Sequence, residues 1–164
     1  MGDPLTGTDF VDAVAGFATG VVVLTVRDGR DDLGTTVTSF MSVSLEPPMV
    51  LAGVASSSYL AEVLSRTDRW AATVLGAKQR ALAGRFAAEG RPGARILLAS
   101  EPHHRGELSG ALIPESGVTA LECETRRRIE VGDHVLFAAE VLSTDYISRD
   151  RKPLIRVNRR YLPA

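Results

Sequence analysis

The chain has 164 residues, 45% of them apolar and 24% charged, with a formal net charge of −1. Those figures describe one globular domain over residues 1–164 and leave no charge excess for a nucleic-acid partner, no fibrous repeat and no disordered composition. The longest strongly apolar run, Val21 to Val26, contains Thr25 and is far too short for a bilayer, and the opening Met-Gly-Asp-Pro is not a basic-then-apolar leader, so the expectation is a cytoplasmic protein without a membrane partner. In chain order, the first predicted element is a helix. Thr8 or Asp9 caps it, Phe10, Val14 and Phe17 recur at helical spacing, and Gly20 ends it. Val21 to Arg27 is rich in β-branched residues and runs into Asp28-Gly29, a hairpin signal. Thr35 to Ser44 alternates as a strand, with Val37, Ser39, Met41 and Val43 on one side, and Pro47-Pro48 interrupts it. Met49 to Ala55 reads as a third strand. A short helix from Ser57 or Ser58 to Ser65, a strand from Arg69 to Leu75 and a helix from Lys78 to Ala88 follow. Residues Glu89 to Gly117 read as loop with a short strand near Ile96 to Ala99. Two long strands, Val118 to Glu130 and His134 to Tyr146, meet at Gly132-Asp133, and Pro153 to Val157 is a last short segment. Strands without strict βαβ alternation define a mainly β chain, an antiparallel barrel with peripheral helices.

Several chemistries lack their residues. The chain has no G-x-G-x-x-G after a strand, no P-loop, no H-E-x-x-H and no G-x-S-x-G. Cys123 is the single cysteine, which excludes an intrachain disulfide and multi-cysteine metal sites, and its alternation with Leu121 reads as a small core residue. His103-His104 has no evident third ligand and reads as a surface loop, so no metal is expected. Of 19 basic residues only Lys78 and Lys152 are lysines, which, with the single asparagine Asn158, reads as a coding bias toward arginine. Arg126-Arg127-Arg128, flanked by Glu122, Glu124 and Glu130, reads as a salt-bridged strand face. What remains is a dense set of hydroxyls. Thr35, Thr36, Thr38, Ser39, Ser42 and Ser44 lie close together, and Ser56-Ser57-Ser58 stands at a helix start, where free amides favour a phosphate. Arg85, on the next helix, offers a fork-shaped cation to that phosphate.

Four segments carry a resemblance: FATGVVVLTVRDG (Phe17 to Gly29), GTTVTSFMSVSLEPPMVLAGV (Gly34 to Val54), GRFA (Gly84 to Ala87) and VGDHVLFAAEV (Val131 to Val141). In this order, over nearly the whole chain, they resemble the short-chain flavin reductases of the FMN-binding split-barrel family, the reductase components of two-component flavin-dependent monooxygenases. The resemblance implies an antiparallel Greek-key split barrel that forms a homodimer, with Phe40, Met41 and Trp70 as candidates for the shared face. It implies FMN or FAD as the flavin, NADH or NADPH as the hydride donor, and a monooxygenase as the functional partner. By position, Thr36, Val37, Thr38 and Ser39 would line the isoalloxazine and ribityl chain, largely through backbone amides. Ser56, Ser57 and Ser58 would meet the phosphate, with Arg85 and Phe86 nearby, and His134 would sit beside the nicotinamide as the catalytic-site histidine.

Three positions depart from the family pattern. Val37-Thr38 stands where most relatives have Ala-Asn, Ala55-Ser56 replaces a charged pair, and Arg156-Val157-Asn158-Arg159 replaces an aromatic-His-Arg-Gly pattern. The first and last motivate an alternative function, a non-catalytic flavin carrier on the same barrel.

Overall fold

The computed structural model describes residues 6–163. Helix α1 spans Gly7–Val14, β1 Thr19–Gly20, β2 Val22–Asp28, β3 Asp31–Val37, β4 Phe40–Leu45 and β5 Pro48–Ala55. Then come α2 (Tyr59–Arg66), β6 (Arg69–Val74), α3 (Arg80–Ala87), α4 (Ala94–Leu97), β7 (His103–Arg105) and β8 (Leu112–Pro114). Strands β9 (Thr119–Val131), β10 (His134–Ile147), β11 (Leu154–Val157) and β12 (Arg160–Pro163) close the chain. The main sheet has seven strands in the order β3-β2-β6-β9-β10-β5-β4, all paired antiparallel. A three-stranded sheet (β1-β11-β12) and the β7-β8 ribbon flank it. The two edges of the seven-stranded sheet, β3 and β4, are consecutive in the chain and joined only through Thr38-Ser39, so the sheet curls into an antiparallel barrel split between them.

Strand β2 shows why the apolar run at its centre is continuous. Val22, Leu24 and Val26 face the barrel interior, with Val50, Val54, Trp70 and Phe137. Val21, just before β2, and Val23 face outward onto Leu82, Phe86, Leu97 and Leu112. Successive side chains point to opposite faces, and here both faces are covered. Helix α2 buries Leu60, Ala61, Val63 and Leu64, packs against both β3 and β5, and so stands across the split. No helix among the described residues is long and apolar enough to cross a membrane.

Four expectations are corrected in detail. The first helix is capped by Thr6, whose hydroxyl accepts from Asp9 N at 3.1 Å; Asp9 closes the reciprocal box. The Thr35 to Ser44 stretch is two strands, because one segment cannot pair with β2 and β5 at once across the split. Ile96 to Ala99 is not a strand: Ala94–Leu97 forms a turn of helix that buries Ala94 and Leu97, and a short apolar run does not distinguish the two. Trp70 faces the barrel interior, fully buried, with Nε1 donating to Thr125 Oγ1 at 2.9 Å, so it belongs to no shared face.

An ion cluster absent from the sequence reading ties the helical side to the barrel. Asp32, 5% exposed on β3, accepts from Arg105 at 2.8 and 3.0 Å and from Arg95 at 2.9 Å. Burial alone raises its pKa, but the hydrogen bonds and charges of Arg105 and Arg95 outweigh burial and hold the carboxyl below its ordinary range. A group whose folded pKa is depressed contributes stability above its unfolded pKa, and that contribution is lost as pH falls through the folded value. Asp32→Asn is therefore expected to lower the unfolding free energy by about 2 kcal/mol near neutral pH. In urea unfolding the gap to wild type should close below about pH 4. A gap that stays constant through that range would remove the charge from the explanation.

Candidate functional site

The Thr38-Ser39 link lies outside both ladders. Ser39 accepts from Gly53 N at 2.7 Å, while neither the Thr38 nor the Ser39 amide donates to a backbone carbonyl among the described residues. Gly53 is required there, since a Cβ on it would stand 2.9 Å from Ser39 Cβ and 3.2 Å from Leu136 Cδ2. The link opens onto a groove of about 350 Å3, lined by Val11, Val14 and Phe17 and by Arg156, Val157 and Arg159. Of the four predicted residues in this stretch, Thr38 and Ser39 line the groove. Thr36 donates its hydroxyl to Ala83 O at 2.7 Å, and Val37 is buried in the barrel. Those two have only backbone to offer.

The serine triplet divides its work. Ser56 donates from its amide and its hydroxyl to Asp133 O, both at 2.9 Å. Ser58 is the cap of α2: its hydroxyl accepts from Ala61 N at 3.1 Å and donates to Ala55 O at 2.7 Å. Ser57 is exposed and its hydroxyl has no partner among the described residues. With Ser58 and the α2 N-terminus it lines a cleft of about 420 Å3 whose far wall includes Gly34, Glu89 and Arg91.

Arg91 was not singled out by the sequence reading. Its Nε donates to Gly34 O at 2.8 Å and its Nη1 to Ala88 O at 3.2 Å, both neutral acceptors, and no carboxylate lies in salt-bridge range among the described residues. Partial burial lowers its pKa below the usual guanidinium value. A partly desolvated cation that shares a cleft with a helix N-terminus, and has no carboxylate partner among the described residues, has the chemistry to meet an anion. The only signal that could have found it is the Gly90-Arg91-Pro92-Gly93 turn, an arginine held among breakers.

Arg85 lies elsewhere. Its guanidinium is held by Glu101 at 2.5 Å and by Ser100 at 3.1 Å, and it does not line the Ser57 cleft. Phe86 is fully buried and packs on β3 at Gly34, where a Cβ would meet its ring at 2.6 Å and Leu24 O at 2.8 Å. It sets the position of Gly34, and hence of the Arg91 acceptor. His134 opens β10 opposite Ala55, with Nδ1 at 2.7 Å from Asp133 Oδ1. Because positions 134 and 136 share a strand face and Leu136 reaches the Gly53–Ser39 contact, His134 lies on the Ser39 side of the sheet.

The remaining candidates have structural roles. Cys123 is fully buried, and burial, with the charge of Glu122, pushes its thiol up to about 12, so it is no nucleophile. Arg126 pairs with Glu124 and Glu140, and Arg128 with Asp68 at 2.5 Å. His104 sits between Glu115 at 3.1 Å and Asp145 at 2.9 Å.

The fold and site define a class: a split barrel with an open peptide at the split and, about 13 Å back along the chain at 3.3 Å per residue from Thr38, Gly34 in the wall of the Ser57–Arg91 cleft. Residues 14–164 match the family described as flavin reductase like domain, and the chain belongs to that family. It is 36% identical over 137 residues to the NADH-dependent FMN reductase AsuE2 of Streptomyces nodosus subsp. asukaensis, covering 82% of this chain and 72% of that protein. It is 33% identical over 152 residues, 93% of each chain, to the reductase component of 4-hydroxyphenylacetate 3-monooxygenase from Thermus thermophilus. The solved NADH:FAD oxidoreductase SgcE6 of Streptomyces globisporus C-1027 superposes with a TM-score of 0.90 at 32% identity, over 100% of this chain and 96% of that one. The same protein in complex with NAD and FAD fragments gives 0.88 at 31%, over 99% and 97%.

An anion seat at Arg91 has a selective consequence. Charge-assisted hydrogen bonds contribute roughly 1.5–3 kcal/mol, so Arg91→Ala should weaken FMN binding on the order of ten- to a hundredfold. Riboflavin, which lacks the phosphate, should bind as before, and Arg85→Ala should leave both unchanged. Fluorescence titrations of the two variants with both flavins decide the matter, and equal losses for FMN and riboflavin in Arg91→Ala would remove the seat.

Proposed function

We propose that this protein is an NADH-dependent flavin reductase that takes up FMN or FAD, reduces it and releases it to a partner monooxygenase. The observation that carries the reading is the open peptide at Thr38-Ser39 directly after β3, together with Gly34, in the middle of β3, facing the cleft of Ser57 and Arg91. Family membership, and relatives whose names state NADH dependence and monooxygenase service, support it. Bound flavin supplies a two-electron acceptor, which accounts for a site without an acid–base constellation. The chain's own residues do the rest. Ser57, the α2 amides and Arg91 would hold the phosphate, and the Thr38 and Ser39 amides would donate to the flavin ring. His134, oriented by Asp133, marks the side from which the nicotinamide approaches. Holding the two rings in register is the catalytic contribution.

A second copy of this chain is the proposed cover for the apolar surface beside the groove. Phe10, Val11, Val14 and Phe17 around α1 are 45–78% exposed, and Met41, Val43 and Leu45 on the edge strand β4 are 55–93% exposed. A patch of that kind calls for a partner, and a closed dimer would exclude water from the ring site. The reading takes residues 1–164 as a single domain and places the reaction in the cytoplasm, where nicotinamide nucleotide and oxygenase meet.

The test is NADH oxidation followed by absorbance with FMN, FAD or riboflavin, for wild type and His134→Ala. Wild type should oxidise NADH well above the free-flavin background, and His134→Ala should raise the KM for NADH while leaving flavin affinity nearly unchanged. Oxidation at background with intact flavin binding would instead make the protein a carrier.

A further inference from the structure

A cavity of about 600 Å3 lies apart from the groove and the cleft, between the turn that follows β6, the Glu101 loop, Ser116 and the segment 150–152. It shares no lining residue with either of them. Its backbone is pinned: Ala77 N donates to Lys152 O at 2.8 Å, Gln79 N to Gly76 O at 2.8 Å, and Leu154 N to Leu75 O at 2.9 Å.

Its chemistry is that of unanswered donors. In a chain where arginine supplies nearly all the positive charge, the only two lysines, Lys78 and Lys152, both line this cavity. Neither has a carboxylate in salt-bridge range among the described residues. Arg151 joins them, with Nη1 given to two neutral carbonyls, Glu115 O at 2.6 Å and Gly117 O at 2.9 Å. Against these three cations stand Glu101 and Asp150, and Glu101 is already spent on Arg85 at 2.5 Å.

The wall adds a buried donor. Gln79 is 6% exposed, and its Oε1 is fixed as the acceptor of Gly76 N at 2.8 Å. That orientation assigns Nε2 as the other end of the amide, and Nε2 has no acceptor among the described residues. A buried donor left unmatched is costly, and native structures rarely keep one without a reason. Three cations around one cavity, two of them without any carboxylate in range, call for an oxyanion, with Gln79 a buried part of the wall, and the volume is that of a nucleotide-sized ligand rather than of a bare ion. We propose that this cavity is a second anion site, which binds a phosphate-bearing small molecule of nucleotide size independently of the flavin groove.

The experiment uses AMP as the probe and the full-length protein, with binding read from amide chemical shifts and calorimetry. Wild type should bind AMP with shifts at Gly76 to Gln79 and at 150–152, and saturating riboflavin should leave that binding intact. Lys78→Ala/Lys152→Ala, both exposed positions, should lose at least tenfold in AMP affinity while keeping its NADH:FMN turnover. Arg91→Ala should keep AMP binding. Inorganic phosphate, tested alongside, should bind more weakly than AMP and at the same residues. AMP binding that survives the double lysine substitution, or is lost in Arg91→Ala, would overturn the proposal, and so would wild type that fails to bind AMP. The AMP-binding results do not depend on whether NADH is oxidised, so the proposal fails or stands apart from the reductase reading.

Discussion

Everything around the site depends on one geometric constraint. The sheet's two edges, β3 and β4, are joined by only Thr38 and Ser39, so a seven-stranded antiparallel sheet has to curl until its edges nearly meet. Closure stops short at that link, because the strands there turn from pairing with β2 to pairing with β5. The link is consequently the place in the barrel wall where backbone amides leave the ladders without a new carbonyl partner. Unpaired amides are normally a defect in a fold. At the split they are donors open to a ligand.

The same closure shapes the cleft at the α2 N-terminus. Because β3 and β5 do not pair across the split, the gap between them must be covered, and α2 covers it with Leu60, Val63 and Leu64. A helix laid there directs its N-terminus, with Ser57 and Ser58, toward the Gly34 end of β3. The opposite wall is set by packing. Phe86 needs a residue without a Cβ at position 34, and the carbonyl of that glycine then anchors Arg91. The cleft is thus a by-product of barrel packing, with Glu89 and Arg91 as the charged residues of its wall. Half of the other arginines are tied to carboxylates, including Arg66 to Asp28 and Glu62, Arg69 to Glu124, and Arg95 and Arg105 to Asp32. Arginine abundance alone therefore says little. Its charge is available where neutral carbonyls hold it.

What the sequence made legible follows from the same physics. β-Branched content and the Asp28-Gly29 turn marked the β2–β3 hairpin, with Gly29 at φ +61°, and Gly132, at φ +58°, marked the turn into β10. Ser58 was recognisable as a cap because its hydroxyl chemistry is local. Features set by distant contacts were not. The break at Thr38-Ser39 looks like uninterrupted alternation until β2 and β5 both claim the strand. Trp70 looks like surface aromatic character until Thr125, fifty-five positions later, supplies its hydrogen bond. Arg85 and Arg91 are six residues apart and chemically identical. Only Glu101 and Gly34, brought in by the fold, decide which of them is free.

The most direct test of this arrangement is amide hydrogen exchange of the full-length protein with and without FMN. The account predicts slowed exchange in two separated segments, residues 34–39 and 56–59, with riboflavin protecting the first and leaving the second unchanged. Protection by FMN confined to other segments, or absent from residues 34–39, would contradict it.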